Sequence, residues 1–130
     1  RLFVDGTGIG GPLVDRLQQL GIRQAVDVQF GGSSPDAKYA NLRAYMWGRM
    51  KDWLARGRID SDARLEMDLG GPGYDHNRQD QLVLESKERM KARGVDSPDD
   101  GDALALTFAQ PVMARRRAAP IVLPSSWEAM

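Results

Sequence analysis

A glycine-rich turn near the start of the chain restricts its possible folds more than any other feature. The segment Asp5-Gly6-Thr7-Gly8-Ile9-Gly10-Gly11-Pro12 follows a short apolar stretch and precedes leucines at helical spacing. A second apolar stretch, residues 25–30, ends at Gly31-Gly32. This order predicts a strand, a helix and a second strand, and such a crossover normally makes the two strands parallel neighbours. The expected fold class is therefore α/β.

The longest predicted helix covers residues 36–56. Ser34-Pro35 opens it, and Gly57 ends it. Its apolar positions form one stripe, and Arg43 is predicted to lie outside that stripe. The stripe consists of Tyr39, Leu42, Met46, Met50, Trp53 and Leu54. Residues 60–69 are ambiguous, with a short helix as one interpretation.

Three smaller elements complete the predicted order. Residues 74–76 and 81–84 flank a polar stretch, which favours a hairpin. Ser86 is placed to cap a short basic helix that Gly94 ends. The final helix begins at Ser97-Pro98-Asp99-Asp100, where the serine is the predicted cap and the proline the first helical residue.

The glycine-rich turn has two functional interpretations. Gly6, Gly8 and Gly11 match the GxGxxG pattern of dinucleotide sites, and Asp27 is placed to bind a ribose hydroxyl. The other interpretation is a turn without a ligand. Asp5 weighs against the dinucleotide, because a carboxylate beside a phosphate cradle repels the ligand unless a divalent cation lies between them.

The composition indicates that any metal site would consist mainly of carboxylates. The chain has no cysteine and one histidine, so thiolate ligands are excluded and zinc would be poorly supplied. Its 18 basic residues balance 18 acidic ones, so any attraction to nucleic acid must come from a local basic surface. No apolar run approaches the ~20 residues that cross a bilayer, so no membrane partner is expected.

Three aspartates are the candidate metal ligands. Asp99 and Asp102 are three residues apart on one predicted helix and share a face, so they can converge on one cation. Asp5 follows a strand, at the edge where ligands of open α/β sheets gather. The structural alternatives are a turn-forming role for Asp5 and compensation of the helix dipole for Asp99. Asp102 is less well explained by the dipole, since it adjoins an apolar helix, where a carboxylate needs a partner.

Three segments, in this order, resemble the C-terminal nuclease domain of the large terminase subunit of tailed bacteriophages. They are FVDGTGIGGPLVDRL, QLVLESKERMKARG and SPDDGDALALTFA. The resemblance implies a ribonuclease-H-like fold, a mixed sheet flanked by helices. It also implies two-metal cleavage of concatemeric double-stranded DNA, with Mg²⁺ or Mn²⁺ bound by aspartates. The family's second acidic position corresponds to Asp5 and its last to Asp102, with Asp99 supplied by the DxxD form of that motif.

The family's first acid and first strands would lie upstream of Arg1. Residues 1–110 are therefore expected to be a partial nuclease domain, followed by a tail over residues 111–130. Without the first carboxylate, the fragment is expected to be inactive as a nuclease. We also expect it to self-associate, or its tail to cover the edge of the strand at residues 2–4.

The resemblance implies partners as well: double-stranded DNA, the portal protein and the small terminase subunit, in the cytoplasm of the bacterial host. A local basic segment is the candidate contact with DNA phosphates. It comprises Lys87, Arg89, Lys91 and Arg93. Two alternatives remain at this point, a dinucleotide-binding fragment and a non-catalytic module that docks on DNA or on the portal.

Overall fold

The computed structural model describes residues 1–113 and has a mixed α/β fold, which confirms the predicted class. The predicted tail lies outside the described residues from position 114 onward. In chain order the elements are β1 (Leu2–Asp5), α1 (Gly10–Gln19), β2 (Ala25–Val28), α2 (Leu42–Leu54), α3 (Ala63–Gly70), β3 (Tyr74–His76), β4 (Leu82–Leu84), α4 (Lys87–Ala92) and α5 (Asp99–Leu106).

The first strand, helix and strand form the crossover unit that the sequence predicts. β1 and β2 are parallel, with Leu2 opposite Ala25 and Asp5 opposite Val28. Helix α1 packs on this strand pair and buries Val14. The hairpin is also confirmed, since β3 and β4 pair antiparallel. Within residues 1–113 the four strands form two separate pairs, whereas the family resemblance implies a mixed sheet.

Helix α2 is shorter than the predicted helix over residues 36–56. It begins at Leu42, because the side chain of Asn41 caps it by accepting a hydrogen bond of 2.9 Å from the N–H of Ala44. The preceding segment pairs with the hairpin instead: the N–H of Ala40 donates to the carbonyl of Leu82 at 3.0 Å. Local side-chain hydrogen bonds also keep this segment out of the helix. For example, Oδ1 of Asp36 accepts a hydrogen bond from the N–H of Lys38.

The core lies where α2 and α5 meet the β1–β2 pair. Its buried members are Val28, Phe30, Met46, Trp47, Met50 and Ala105. Two predictions about the stripe of α2 are wrong. Arg43 is buried rather than outside the stripe, and Trp53 is 41% exposed. Arg43 tolerates burial because its guanidinium has a carboxylate partner, described below.

The N-termini of α4 and α5 are capped in different ways. Ser86 caps α4 as predicted, accepting from the N–H of Arg89 at 3.2 Å. The predicted serine cap of α5 is wrong, since no local side chain caps that helix and Pro98 precedes its first residue. Oδ2 of Asp68, in α3, accepts hydrogen bonds from the N–H of Asp100 at 2.8 Å and from the N–H of Gly101 at 3.1 Å. A tertiary contact therefore replaces the local cap.

Candidate functional site

Asp102 is the most enclosed acid of the described chain, with only 4% of its surface exposed. Its Oδ1 accepts a hydrogen bond of 3.0 Å from Nε of Arg43 and one of 2.8 Å from the indole N–H of Trp47. Arg43 also donates from Nη1 to the carbonyl of Glu85 at 2.9 Å. These contacts supply the partner that a buried carboxylate requires, and they fix Oδ1 in place.

The second oxygen of Asp102 has a different environment. Oδ2 is buried and has no hydrogen bond of good geometry to any residue within 1–113, although the Nζ of Lys87 lies 3.0 Å away as an ion-pair partner. The same ammonium lies 3.4 Å from Oδ1 of Asp99. Lys87 therefore joins the two aspartates that the sequence assigns to one metal site.

Charge and burial act in opposite directions on this cluster. Burial lowers the pKa of Lys87, but contact with Asp102 and then Asp99 outweighs it and raises the pKa above its ordinary value. The pKa of Asp99 is lowered, first by the hydroxyl of Ser97, which donates a bond of 2.7 Å, and then by Lys87. The lysine remains charged throughout the neutral range.

Asp5 lies at the carboxyl end of β1, as predicted. Its Oδ1 accepts from the N–H of Thr7 at 2.9 Å, which is the turn-forming role that the sequence allowed. Phe3 packs against the core beneath α2 and α5, and residues two apart on a strand share a face. Asp5 thus faces α2 and α5, opposite the side that α1 covers.

A cleft of about 540 Å³ brings Asp5 together with the cationic side chains that hold Asp102. Its polar lining consists of Asp5, Thr7, Asn41, Arg43, Ser86, Lys87 and Glu88. Arg43 and Lys87 connect Asp102 to the cleft, since each contacts Asp102 and each lines the cleft. The strand-end acid therefore lines the cleft directly, whereas Asp102 is linked to the cleft through Arg43 and Lys87.

The carboxylates do not form a finished coordination shell in this arrangement. Within residues 1–113, no three acidic, histidine or cysteine side chains lie close enough to hold one metal ion. Aspartate oxygens are nevertheless the donors that Mg²⁺ and Mn²⁺ prefer. Oδ2 of Asp102, without a hydrogen bond, is the oxygen best suited to that role, and Lys87 occupies the position next to it.

The close backbone contacts of the glycine-rich turn lie at Gly6 and Gly10 rather than at Gly11, the third glycine of the fingerprint. The N–H of Gly6 donates to the carbonyl of Val28 at 2.9 Å and so belongs to the strand pair. Asp27 lies against Gly6, where a side chain at that position would overlap its carboxylate. The tight approach of helix to strand occurs at Gly10, against the carbonyl of Asp5, whereas Gly11 lies in open space. Close backbone packing explains Gly6 and Gly10 without a ligand, and the positive φ of 76° explains Gly8.

The predicted basic segment divides into two parts. Lys87 faces the acids, as described, and the Arg93 guanidinium binds Glu85 at 2.8 Å and the carbonyl of Gly71. Arg89 and Lys91 are exposed to solvent. The hydrogen bonds from Arg93, and then from the N–H of Gly73, lower the pKa of Glu85 from 4.5 to about 2. This ion pair ties α4 to the loop before β3.

Sequence reasoning missed Arg43, Trp47 and Asp68 as parts of the site. A signal was present for the first two, because residues four apart on a helix share a face. Arg43, Trp47, Met50 and Leu54 follow one another at spacings of four, three and four residues, which keep one helix face, so an arginine inside an apolar stripe indicated a buried partner. Asp68 carries no such signal, since its role depends on where α5 lies.

No protein-family model matches this chain, and no curated protein matches it. Within residues 1–113, no helix is both long and apolar enough to cross a membrane.

Proposed function

We propose that this chain is part of the nuclease domain of a phage DNA-packaging terminase, a metal-dependent endonuclease of ribonuclease-H-like fold that cuts concatemeric double-stranded DNA. The observation that carries the proposal is a cleft lined by the strand-end acid Asp5 and by Lys87, whose ammonium contacts the helix acids Asp99 and Asp102. The three sequence segments that resemble the family contain these acids and this lysine.

The residues fit a hard divalent cation through their donor chemistry. Asp102 offers a buried oxygen without a hydrogen bond, and Asp5 and Asp99 would supply further carboxylate oxygens. A bound Mg²⁺ or Mn²⁺ would activate water and neutralise charge on a phosphate. Arg43 and Trp47 hold Asp102 in one orientation, and the Asx turn holds Asp5. Preorganised acids of this kind lose little conformational freedom when a cation binds.

The partners and location follow from the same proposal. The parent protein would act in the cytoplasm of the bacterial host with the portal protein and the small terminase subunit. Arg89 and Lys91 are exposed to solvent and have no ion-pair partner within residues 1–113, so they are available to DNA phosphates.

Nicking of supercoiled plasmid in Mn²⁺ tests the proposal. A chain extended upstream to include the first acidic strand should nick DNA, and Asp5→Asn and Asp102→Asn should each abolish nicking while circular dichroism stays unchanged. Asp27→Asn is the matched control, because Asp27 lies on the other face of the strand pair. Near-normal nicking by both site variants would overturn the assignment of these acids.

A second candidate is a non-catalytic module that docks on DNA or on the portal, with Asp102 as a structural acid. The buried ion pair with Arg43 favours it, since the arginine neutralises the charge of Asp102 without a metal. This candidate predicts that the chain shifts labelled duplex DNA equally in Mn²⁺ and in a chelator. It also predicts that the upstream-extended chain never nicks DNA.

A further inference from the structure

Lys87 contacts two of the three proposed metal ligands. Its Nζ lies 3.0 Å from Oδ2 of Asp102 and 3.4 Å from Oδ1 of Asp99, and its side chain lines the cleft beside Asp5. An ammonium group has the charge sign of a metal ion and attracts the same oxygens. The lysine therefore neutralises these acids when no other cation does.

The two cations around Asp102 differ in freedom to move. Arg43 is buried, and its Nε and Nη1 are bound to Asp102 and to a backbone carbonyl. The Lys87 side chain is 39% exposed, and its contact with Oδ2 lacks the geometry of a good hydrogen bond. A lysine head on a flexible four-carbon stem can leave towards solvent, whereas the bound guanidinium cannot.

We propose that Lys87 is a positioning residue that holds Asp99 and Asp102 in place and yields its position when a divalent cation binds. The inference rests on the proposed metal site and adds a determinant of its affinity. Entry of the metal requires the ammonium to leave, so Lys87 weakens cation binding. Once displaced, the ammonium lies at the mouth of the cleft, where a DNA phosphate would attract it.

Mn²⁺ binding to the full 130-residue chain tests the inference without any activity assay. Isothermal titration with Mn²⁺ should give Lys87→Met a dissociation constant about tenfold lower than the parent chain, a difference of about 1.4 kcal/mol. A lysine that only supported the fold would have the opposite effect, since its loss would disorder the acids and weaken binding. Lys87→Arg should restore weak binding, because it retains the charge. Lys51→Met, on the exposed side of α2, is the matched control and should leave the affinity unchanged.

A second measurement needs no variant at this position. During titration of the parent chain with diamagnetic Mg²⁺, the ¹H–¹³Cε signal of Lys87 should move towards the value of a solvent-exposed lysine, while that of Lys51 stays in place. Metal binding with an unmoved Lys87 signal would overturn the inference.

The outcomes separate this inference from the proposed function. Binding by the parent chain that does not tighten in folded Lys87→Met overturns the inference and leaves the metal site in place. Absence of Mn²⁺ binding in both folded chains overturns the metal site itself, and the inference with it.

Discussion

The indole N–H of Trp47 donates a hydrogen bond of 2.8 Å to Oδ1 of Asp102, and so connects the middle of α2 to the first turn of α5. Gly101 makes the contact possible, because a side chain at that position would meet the Trp47 ring at 2.9 Å. A polar tip on a buried aromatic ring thus fixes the orientation of the acid on which the proposed site depends.

Trp47→Phe should lower the free energy of unfolding by about 1.5–3 kcal/mol, because it removes a hydrogen bond to a buried charged group. Urea unfolding measures the loss. Trp53→Phe is the matched control, since Trp53 is exposed and its ring packs on Phe108. Equal losses in the two variants would show that the bond to Asp102 contributes little.

Asp68→Ala should lower the free energy of unfolding by about 0.5–2 kcal/mol, the usual cost of losing a helix cap. The loss should be accompanied by faster amide hydrogen exchange at Asp100 and Gly101, because their N–H groups donate hydrogen bonds to Asp68. Asp62→Ala removes the cap of α3 and serves as the comparison. Unchanged exchange at α5 in Asp68→Ala would contradict the tertiary cap.

Glu85 should make stability depend on pH. Its folded pKa is lowered from 4.5 to about 2, so its contribution to stability is complete above pH 4.5 and is lost as pH falls towards 2. The difference in melting temperature between the parent chain and Glu85→Gln should therefore shrink over that window. Glu66→Gln, on exposed α3, should show no such convergence. A constant gap between the parent chain and Glu85→Gln would rule out this linkage.

The outer edge of β1 should promote self-association. Within residues 1–113 this strand has β2 as its one strand neighbour, and the N–H of Leu2 donates towards that side. The N–H groups of Phe3 and Asp5 alternate to the other side, where another chain can pair with them. Sedimentation velocity should show association that rises with concentration.

Leu2→Lys should weaken this association, because lysine on an edge strand opposes pairing. Leu20→Lys, on a similarly exposed leucine at the end of α1, should not. A monomer at every concentration whose Phe3 amide exchanges freely would contradict the prediction.

Local patterns determined most of the secondary structure. The βαβ unit, the hairpin and the Ser86 cap depend on turn residues and apolar spacing within short windows, and all three are present. The start of the long helix was less predictable. Ser34-Pro35 is a typical helix start by local pattern. The segment from Lys38 to Ala40 is instead stabilised by backbone hydrogen bonds with Leu82, which is remote in sequence.

Only the tertiary structure decided how the acids are used. The sequence placed Asp99 and Asp102 on one helix face, but their exposures differ because α2 covers one of them. It gave no sign that Lys87, the first residue of α4, contacts both aspartates of α5. Burial and long-range charge pairing are properties of packed elements, and a local window contains neither.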